Sequence, residues 1–457
     1  LAWRTILGQL LQWDSLPPDR ETRRGVVMER LRSLSLESRA PLLNVVLPLD
    51  FPDNDLTAEM TGKVRADNTN EALVTLLGQA ASTQPLRIII EDSHWMDSAS
   101  WAFTQAVIRQ VRPLLLVLVS RPISNDVLSE YQSLLENPHV RQMQLQPLAA
   151  SDTIGLVCQR LCVDALPEPV TTLILEKAEG HPFFSEELAY ALRDSGVLQI
   201  ADRRAHIAPG VDIKTLNLPD TVEGVVTSRI DLLTPGQQLT VKVASVIGRI
   251  FAYRVLEQVH PVSSDRPRLP DYLNHLQNLD VTPLVTPPPD LSYMFKHIIT
   301  QEVAYNLLLF EQRRQLHRAV AEWYERGFAR DLSPYYPLLA HHWLNASQSS
   351  PSDPATIKAL DYLEKAGEAA LRNYANREAV DYFTRLEAMV TPERAASFGI
   401  STLRMARWEY QLGEAYNRLG LMVECEQHFT RSLIHLKWRL ANNRMREVVR
   451  LVGQMDM

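Results

Sequence analysis

Apolar and polar residues recur with different periods along the 457-residue chain, and each change of period marks an expected element. Ile6, Leu7, Leu10 and Leu11, then Val26, Val27, Leu31 and Leu34, fall at helical spacing, so residues 1 to about 85 read as mostly helical. A polar, turn-rich stretch covers residues 50–70. The helix predicted over 69–81 would lay Leu73, Leu76, Leu77 and Ala80 on a sheet. Two short apolar runs, residues 88–90 and 114–119, predict buried strands, with a helix between them whose N-cap is Asp97 or Ser98. Residues 140–145 alternate like an edge strand that would extend the same sheet. Helical periods return over 150–161, 169–178 and the stretch Gly180-His-Pro-Phe-Phe-Ser-Glu-Glu-Leu188, where Gly180 ends one helix and Pro182 opens the next. Residues 221–232, 235–247, 252–259 and 269–279 are again helical, and a hairpin with the turn Pro287-Pro-Pro-Asp290 precedes a helix starting near Ile298. Residues 301–345 are helical and 345–354 form a linker.

Beyond the linker the chain repeats itself. Gly367-Glu-Ala recurs 46 positions on as Gly413-Glu-Ala, and Phe383-Thr-Arg recurs at the same offset as Phe429-Thr-Arg. Each unit reads as a helix pair of tetratricopeptide-like pattern, with an irregular period. Stacks of such pairs present a groove to peptides or protein ligands. The expected fold is therefore multidomain α/β plus α. Residues 1–149 are a partial P-loop NTPase parallel sheet, 150–214 a helical lid, 215–310 a winged-helix-like domain, and 311–457 a helical linker with the repeats.

Candidate chemistry sits where the first strand ends. Glu91 and Asp92 follow Ile90 directly, and ligands of parallel α/β sheets bind at the carboxyl ends of the strands. A strand closing in two acids reads as a Walker B strand, whose carboxylates hold Mg²⁺ and position a water. Its companion, a glycine-rich phosphate loop, is missing from the sequence. The one Gly-Lys pair, Gly62-Lys63, has Thr57 and Val64 where the motif needs Gly and Ser or Thr. The missing loop, with Leu1 in place of an initiating methionine, predicts a piece of a longer protein. Arg121 follows the second strand, placed either to sense a γ-phosphate or as a surface residue in the turn that Pro122 sets. Gly180 and Pro182 read either as helix punctuation or as a Gly-x-Pro sensor packing on adenine. Glu186 and Glu187 suit a helix N-terminus without a catalytic role. Trp95 reads as a packing anchor. Arg313, Arg314, His317 and Arg318 read as a solvated or interdomain face.

Composition narrows the field. Apolar residues make up 46% and charged residues 22%, as in globular proteins, and the formal charge of −7 argues against nucleic acid as a partner. No apolar run reaches membrane-spanning length, so no membrane partner is expected. Cys158, Cys162 and Cys425 lack zinc spacing, read as buried apolar residues, and fit a reducing cytoplasm.

Three stretches in order, Ile89-Ile-Glu-Asp-Ser-His-Trp-Met-Asp-Ser-Ala-Ser-Trp101, Gly180–Leu188 and Phe295-Lys-His-Ile-Ile-Thr-Gln-Glu-Val-Ala-Tyr305, resemble the STAND-type ATPase regions that follow the catalytic domains of class III nucleotide cyclases, soluble adenylyl cyclase among them. The resemblance implies Glu91 as the Mg²⁺ ligand, Asp92 as the catalytic acid, Arg121 as first sensor, Gly180 and Pro182 at the adenine, and His297 at a β-phosphate. The alternative for His297 is a capping or core histidine. The resemblance further implies ATP or ADP with Mg²⁺ as cofactors, held weakly or not at all without the phosphate loop. An upstream cyclase domain in the same polypeptide would be the partner, and control of cAMP or cGMP synthesis the output. The alternatives are a transcription regulator of the same superfamily or a scaffold without hydrolysis.

Overall fold

The computed structural model describes residues 2–438 except 13–15, 17, 18, 48, 61, 123–128, 212 and 214–218. It is mostly helical with three small sheets, and divides into two compact units. The first comprises residues 1–142, 331–341 and 348–457, the second residues 143–330 and 342–347.

The first unit opens with α1 (Ala2–Leu10), α2 (Arg20–Ser33), α3 (Asp55–Ala58) and α4 (Gly62–Thr83). Gly62 thus starts a helix and not a phosphate loop. Strand β1 (Leu86–Ile90), helix α5 (Ser98–Gln110), strand β2 (Leu114–Leu118) and α6 (Ser129–Leu135) follow. The strands pair in parallel, Leu86 against Leu114 through Ile90 against Leu118. One face packs Ile88, Ile90, Leu116 and Leu118 onto Leu73, Leu77, Phe103 and Val107, in one core with Trp3 and Leu7. The other face leaves Ile89 64% and Leu115 57% exposed. Residues 140–145 form no strand. Met143 and Leu145 stand exposed, because alternation yields a strand only where an edge accepts its hydrogen bonds.

The second unit runs α7 (Ala150–Leu161), α8 (Glu168–Ala178), α9 (Pro182–Asp194), β3 (Leu198–Ala201) and β4 (Arg204–Ile207), then α10 (Val222–Asp231), α11 (Pro235–Ile247), β5 (Ile250–Ala252), α12 (Tyr253–Val259), α13 (Leu269–Asn278), β6 (Leu284–Thr286), β7 (Ser292–Met294), α14 (Ile298–Asn306) and α15 (Phe310–Gly327). The β3–β4 hairpin interrupts a stretch expected to be helical. Asp202 and Arg203 both take positive φ in its two-residue turn, a role usually signalled by Asn-Gly. Strands β5, β7 and β6 form an antiparallel sheet beside the helices. The basic face expected on α15 is half buried. Arg314 donates to the Ala346 carbonyl, and His317 lies between Tyr305 (3.0 Å) and His342 (2.8 Å). The cysteines divide by position: Cys425 is buried, Cys158 half-buried and Cys162 exposed at a helix end.

After α16 (Tyr336–Ala346) come two helix pairs of the first unit, α17 (Pro354–Arg372) with α18 (Asn376–Met389), and α19 (Thr402–Arg418) with α20 (Met422–His435). The sequence repeat is a packing repeat. A Cβ on Gly367 would lie 2.7 Å from the Phe383 ring, and one on Gly413 would lie 2.6 Å from the Phe429 ring. The turns match as well. Tyr374 (φ 59°) and Gly420 (φ 77°) occupy the same left-handed position, and Ala375 N and Leu421 N bond back to the carbonyls of Ala370 and Tyr416. Phe383 is fully buried whereas Phe429 is partly exposed and can yield. Gly367→Ala is therefore expected to cost about 1–3 kcal/mol and Gly413→Ala clearly less, read from the unfolding of the repeat helices in urea.

Candidate functional site

The peptide following Ile90 turns sharply. Asp92 sits in the left-handed region (φ 49°, ψ 39°), uncommon for a residue with a side chain. A short turn over Ser93–Trp95 then leads to α5, whose first turn is capped by Asp97 accepting from Ser100 N at 2.7 Å. Ser93 ties this turn to the second strand: its N–H and its hydroxyl both donate to the Val119 carbonyl, at 2.8 and 3.1 Å. The Arg121 N–H donates to His94 Nδ1 at 3.4 Å. Glu91, Asp92 and Arg121 therefore share one edge of the parallel pair, with Glu91 and Arg121 exposed. Trp95 is not a packing anchor. It is 79% exposed, and Trp101, one helical turn into α5, is the buried indole.

A residue 280 positions away completes the edge. Glu378 of α18 reaches the start of α5, accepting from Ser98 N at 2.8 Å and from the Ser98 hydroxyl at 2.7 Å. A carboxylate at a helix N-terminus satisfies an orphan amide and complements the dipole. Nothing in the local sequence marks Glu378 for this. The repeat pattern assigns it only to an early position in a helix.

The other sequence-predicted residues belong to the second unit. Gly180 (φ 78°) follows the left-handed cap Glu179, and a Cβ there would lie 2.4 Å from the Leu148 carbonyl oxygen. Leu148 N donates to the Gly180 carbonyl at 2.8 Å. His181 Nδ1 accepts from Phe184 N at 3.2 Å, with Pro182 in the first turn of α9 and exposed. These contacts are those of helix punctuation.

His297 precedes α14 but makes no side-chain cap, so it is not a capping histidine. Its ring lies tilted by 30° against Phe183 with centroids 3.9 Å apart, and Nε2 is buried without a hydrogen-bond partner. Burial, and then the neighbouring Lys296 ammonium, lower its pKa to about 4.

Glu186 and Glu187 do more than complement a dipole, since both are nearly fully buried. Glu186 pairs with Arg160 (2.9 Å) and Lys296 (3.3 Å), and Lys296 also bonds Asp280. Glu187 pairs with Arg229 (2.6 Å), which also reaches Asp194 (3.3 Å) and the Leu279 carbonyl (2.8 Å). This network joins α7 and α9 to α10, to the end of α13 and to Lys296, two residues beyond β7.

Comparison with known proteins adds the following. A family model described as "Domain of unknown function (DUF8739)" matches residues 150–206, the helices α7–α9 with most of the β3–β4 hairpin. Adenylate cyclase type 10 of Rattus norvegicus is 21% identical over 293 residues, which are 56% of this chain and 18% of that protein. The peroxide stress-activated histidine kinase mak3 of Schizosaccharomyces pombe is 21% identical over 352 residues, 75% of this chain and 14% of the kinase. The chain thus spans under a fifth of either relative. A solved structure of a Signal Transduction ATPase with Numerous Domains (STAND) protein with a tetratricopeptide repeat sensor, from Pyrococcus horikoshii, aligns with TM-score 0.44 and 10% identity over 81% of this chain and 52% of that one.

Two outcomes follow from the second unit. Arg229→Ala leaves the buried Glu187 without its paired guanidinium, while Asp194 keeps Arg193 at 2.7 Å, and a loss of about 3–5 kcal/mol is expected in urea unfolding, against a smaller loss for Arg229→Met with Glu187→Gln. The His297 ring is protonated more readily in the unfolded chain, at 6.5, than in the folded one, at about 4. Its contribution is therefore complete above pH 6.5 and is lost as pH falls toward 4. After allowance for partial exposure this is a loss of about 1–2 kcal/mol, which His297→Gln should remove from the pH–stability profile.

Proposed function

We propose that this chain is the nucleotide-dependent regulatory and protein-interaction region of a cyclase-like signalling protein, with the state of its ATPase-like core controlling an upstream catalytic domain. The observation that carries the reading is the edge where Glu91, Asp92 and Arg121 stand together, held by Ser93 and His94 to the neighbouring strand. Hard carboxylate oxygens at that position suit Mg²⁺, and a guanidinium beside them suits phosphate oxygens. The donor set fits one side of a Mg²⁺–nucleotide site. The phosphate cradle is not among these 457 residues. A further segment carrying it would pack on the uncovered face of the sheet, where Ile89, Leu115, Val117 and Val119 are exposed.

Within this reading residues 215–310 form a winged-helix packing module, with β6 and β7 as the wing. His297, neutral and with a free Nε2, would donate or accept a hydrogen bond and not supply charge to a phosphate. Gly180 and Pro182 would flank the adenine. The helix pairs α17–α20 would be tetratricopeptide-like sensor repeats that bind a peptide or protein ligand. Glu378 gives those repeats a direct bond to the helix that follows the acid pair, which is the link a sensor needs. Support also comes from the relatives, two signalling proteins matched over more than half of this chain.

The test is nucleotide binding and hydrolysis by the full-length protein. Mg²⁺-ATP is expected to bind in calorimetry, and Glu91→Gln with Asp92→Asn is expected to lower hydrolysis by at least about tenfold while leaving the fold intact. No binding by the full-length protein, or hydrolysis indifferent to the double substitution, removes the nucleotide switch and leaves a scaffold.

A further inference from the structure

The two helix pairs align at a constant offset of 46 residues, and among the packed positions that differ, one group in the second repeat is charged or titratable. Where the first repeat has Leu363, Tyr382 and Met389, the second has Glu409, His428 and His435, each 46 positions on. Leu363 is 1% exposed, and Glu409 and His428 are as good as buried, at 7% and 9%. A buried leucine and a half-buried tyrosine thus give way to a buried carboxylate and a buried imidazole, at a desolvation cost that needs a compensating partner.

The partner within the protein is incomplete. His428 Nδ1 lies 2.8 Å from Glu409 Oε2 and 3.9 Å from Glu387 Oε1. Glu387 comes from α18, Glu409 from α19 and His428 from α20. One imidazole cannot neutralise two carboxylates, and Glu387 Oε1 is buried with only the Glu409 carboxyl to share a proton with. Arg431 draws on Glu387 from outside the trio, but burial and the neighbouring Glu409 outweigh it and push the Glu387 carboxyl up to about 8. The Tyr416 ring stacks flat on His428 at 5.1 Å and holds its plane. His435 Nε2 lies 3.9 Å from the other oxygen of Glu409.

We propose that Glu387 Oε1, Glu409 Oε2 and His428 Nδ1 are the ligands of a divalent metal ion of the zinc class, which clamps α18, α19 and α20 together, with His435 supporting Glu409 from behind. The three ligand atoms lie within 4.8 Å of one another. A tetrahedral zinc with bonds of about 2.0–2.2 Å sets its ligands about 3.4 Å apart, so His428 Nδ1 would move about half an ångström relative to each carboxylate, and the two carboxylates, within 4.8 Å of each other, would close around the ion. One imidazole nitrogen with two carboxylate oxygens favours zinc over calcium or magnesium, which prefer all-oxygen shells. The fourth position falls to water, and His435 plays the outer role usual for a group behind a ligating carboxylate. The proposal is independent of any nucleotide site.

The first repeat supplies the control. Glu409→Leu with His428→Tyr copies its residues at these two positions and removes two of the three ligands, and its fold is checked by circular dichroism before titration. Metal-stripped full chain is titrated with zinc ion alone by calorimetry, with cobalt(II) as a spectroscopic probe, and its melting temperature is read with zinc and with chelator. One zinc per chain is expected, with visible cobalt bands of a four-coordinate site and a higher melting temperature in zinc. The double variant should bind at least about 100-fold more weakly and melt identically with zinc or chelator, and His435→Ala should bind about 10- to 100-fold more weakly. Uptake no greater than that of the folded double variant, or a wild-type melt indifferent to zinc and chelator, would overturn the site and leave a proton-sharing carboxylate pair in its place.

Discussion

A parallel pair of strands has no stable form by itself, since its side chains alternate between two faces and both are apolar here. That constraint organises the first unit. One face of β1 and β2 is closed by α4 and α5 in a core that also takes in Trp3 and Leu7. The strands end together, and Ser93 spans them with two bonds to a single carbonyl. The backbone of Asp92 adopts its left-handed conformation at that junction. Three charged side chains come to share an edge because the strands beneath them are in register, and not because they attract one another.

The repeats reach that edge by a bond of a different kind. Glu378 uses both carboxylate oxygens on Ser98, so the N-terminus of α5 is held from α18 as well as by its own cap Asp97. Helix pairs that pack through Gly367 and Phe383, or Gly413 and Phe429, are stiff where backbone and ring meet. Such a pair, bonded through Glu378 to the start of α5, fixes the helix that follows the acid-bearing turn. In the second unit the comparable role falls to the charges around Glu186, Glu187, Arg229 and Lys296. They are buried between helices that the sequence separates by many turns, and each remaining charge depends on the others staying in place.

Much of this was legible in the chain itself. The strand that ends in Glu91, the cap at Asp97, the helix break at Gly180 and the 46-residue repeat all depend on local spacing. Hydrophobic period, capping chemistry and steric exclusion at glycine act over a few residues or along one helix pair. The repeat was readable because glycine and phenylalanine recur together, and the close approach of backbone to ring is what requires both.

Tertiary structure decided the rest. Alternation over residues 140–145 resembled a strand but found no edge to pair with. Trp95 and Trp101 lie six positions apart, and only packing assigned one to solvent and the other to the core. Arg314 and His317 read as a solvated or interdomain face, because period reports which residues share a side, not what that side meets. Glu378 at Ser98, and Glu387, Glu409 and His428 at one point, join residues from different helices whose side chains no spacing rule connects. The sequence by itself determined the elements and their caps, since those follow from contacts within a few turns. Which charges are buried, and against which partner, was decided only when the helices packed, because desolvation and pairing depend on distance in space.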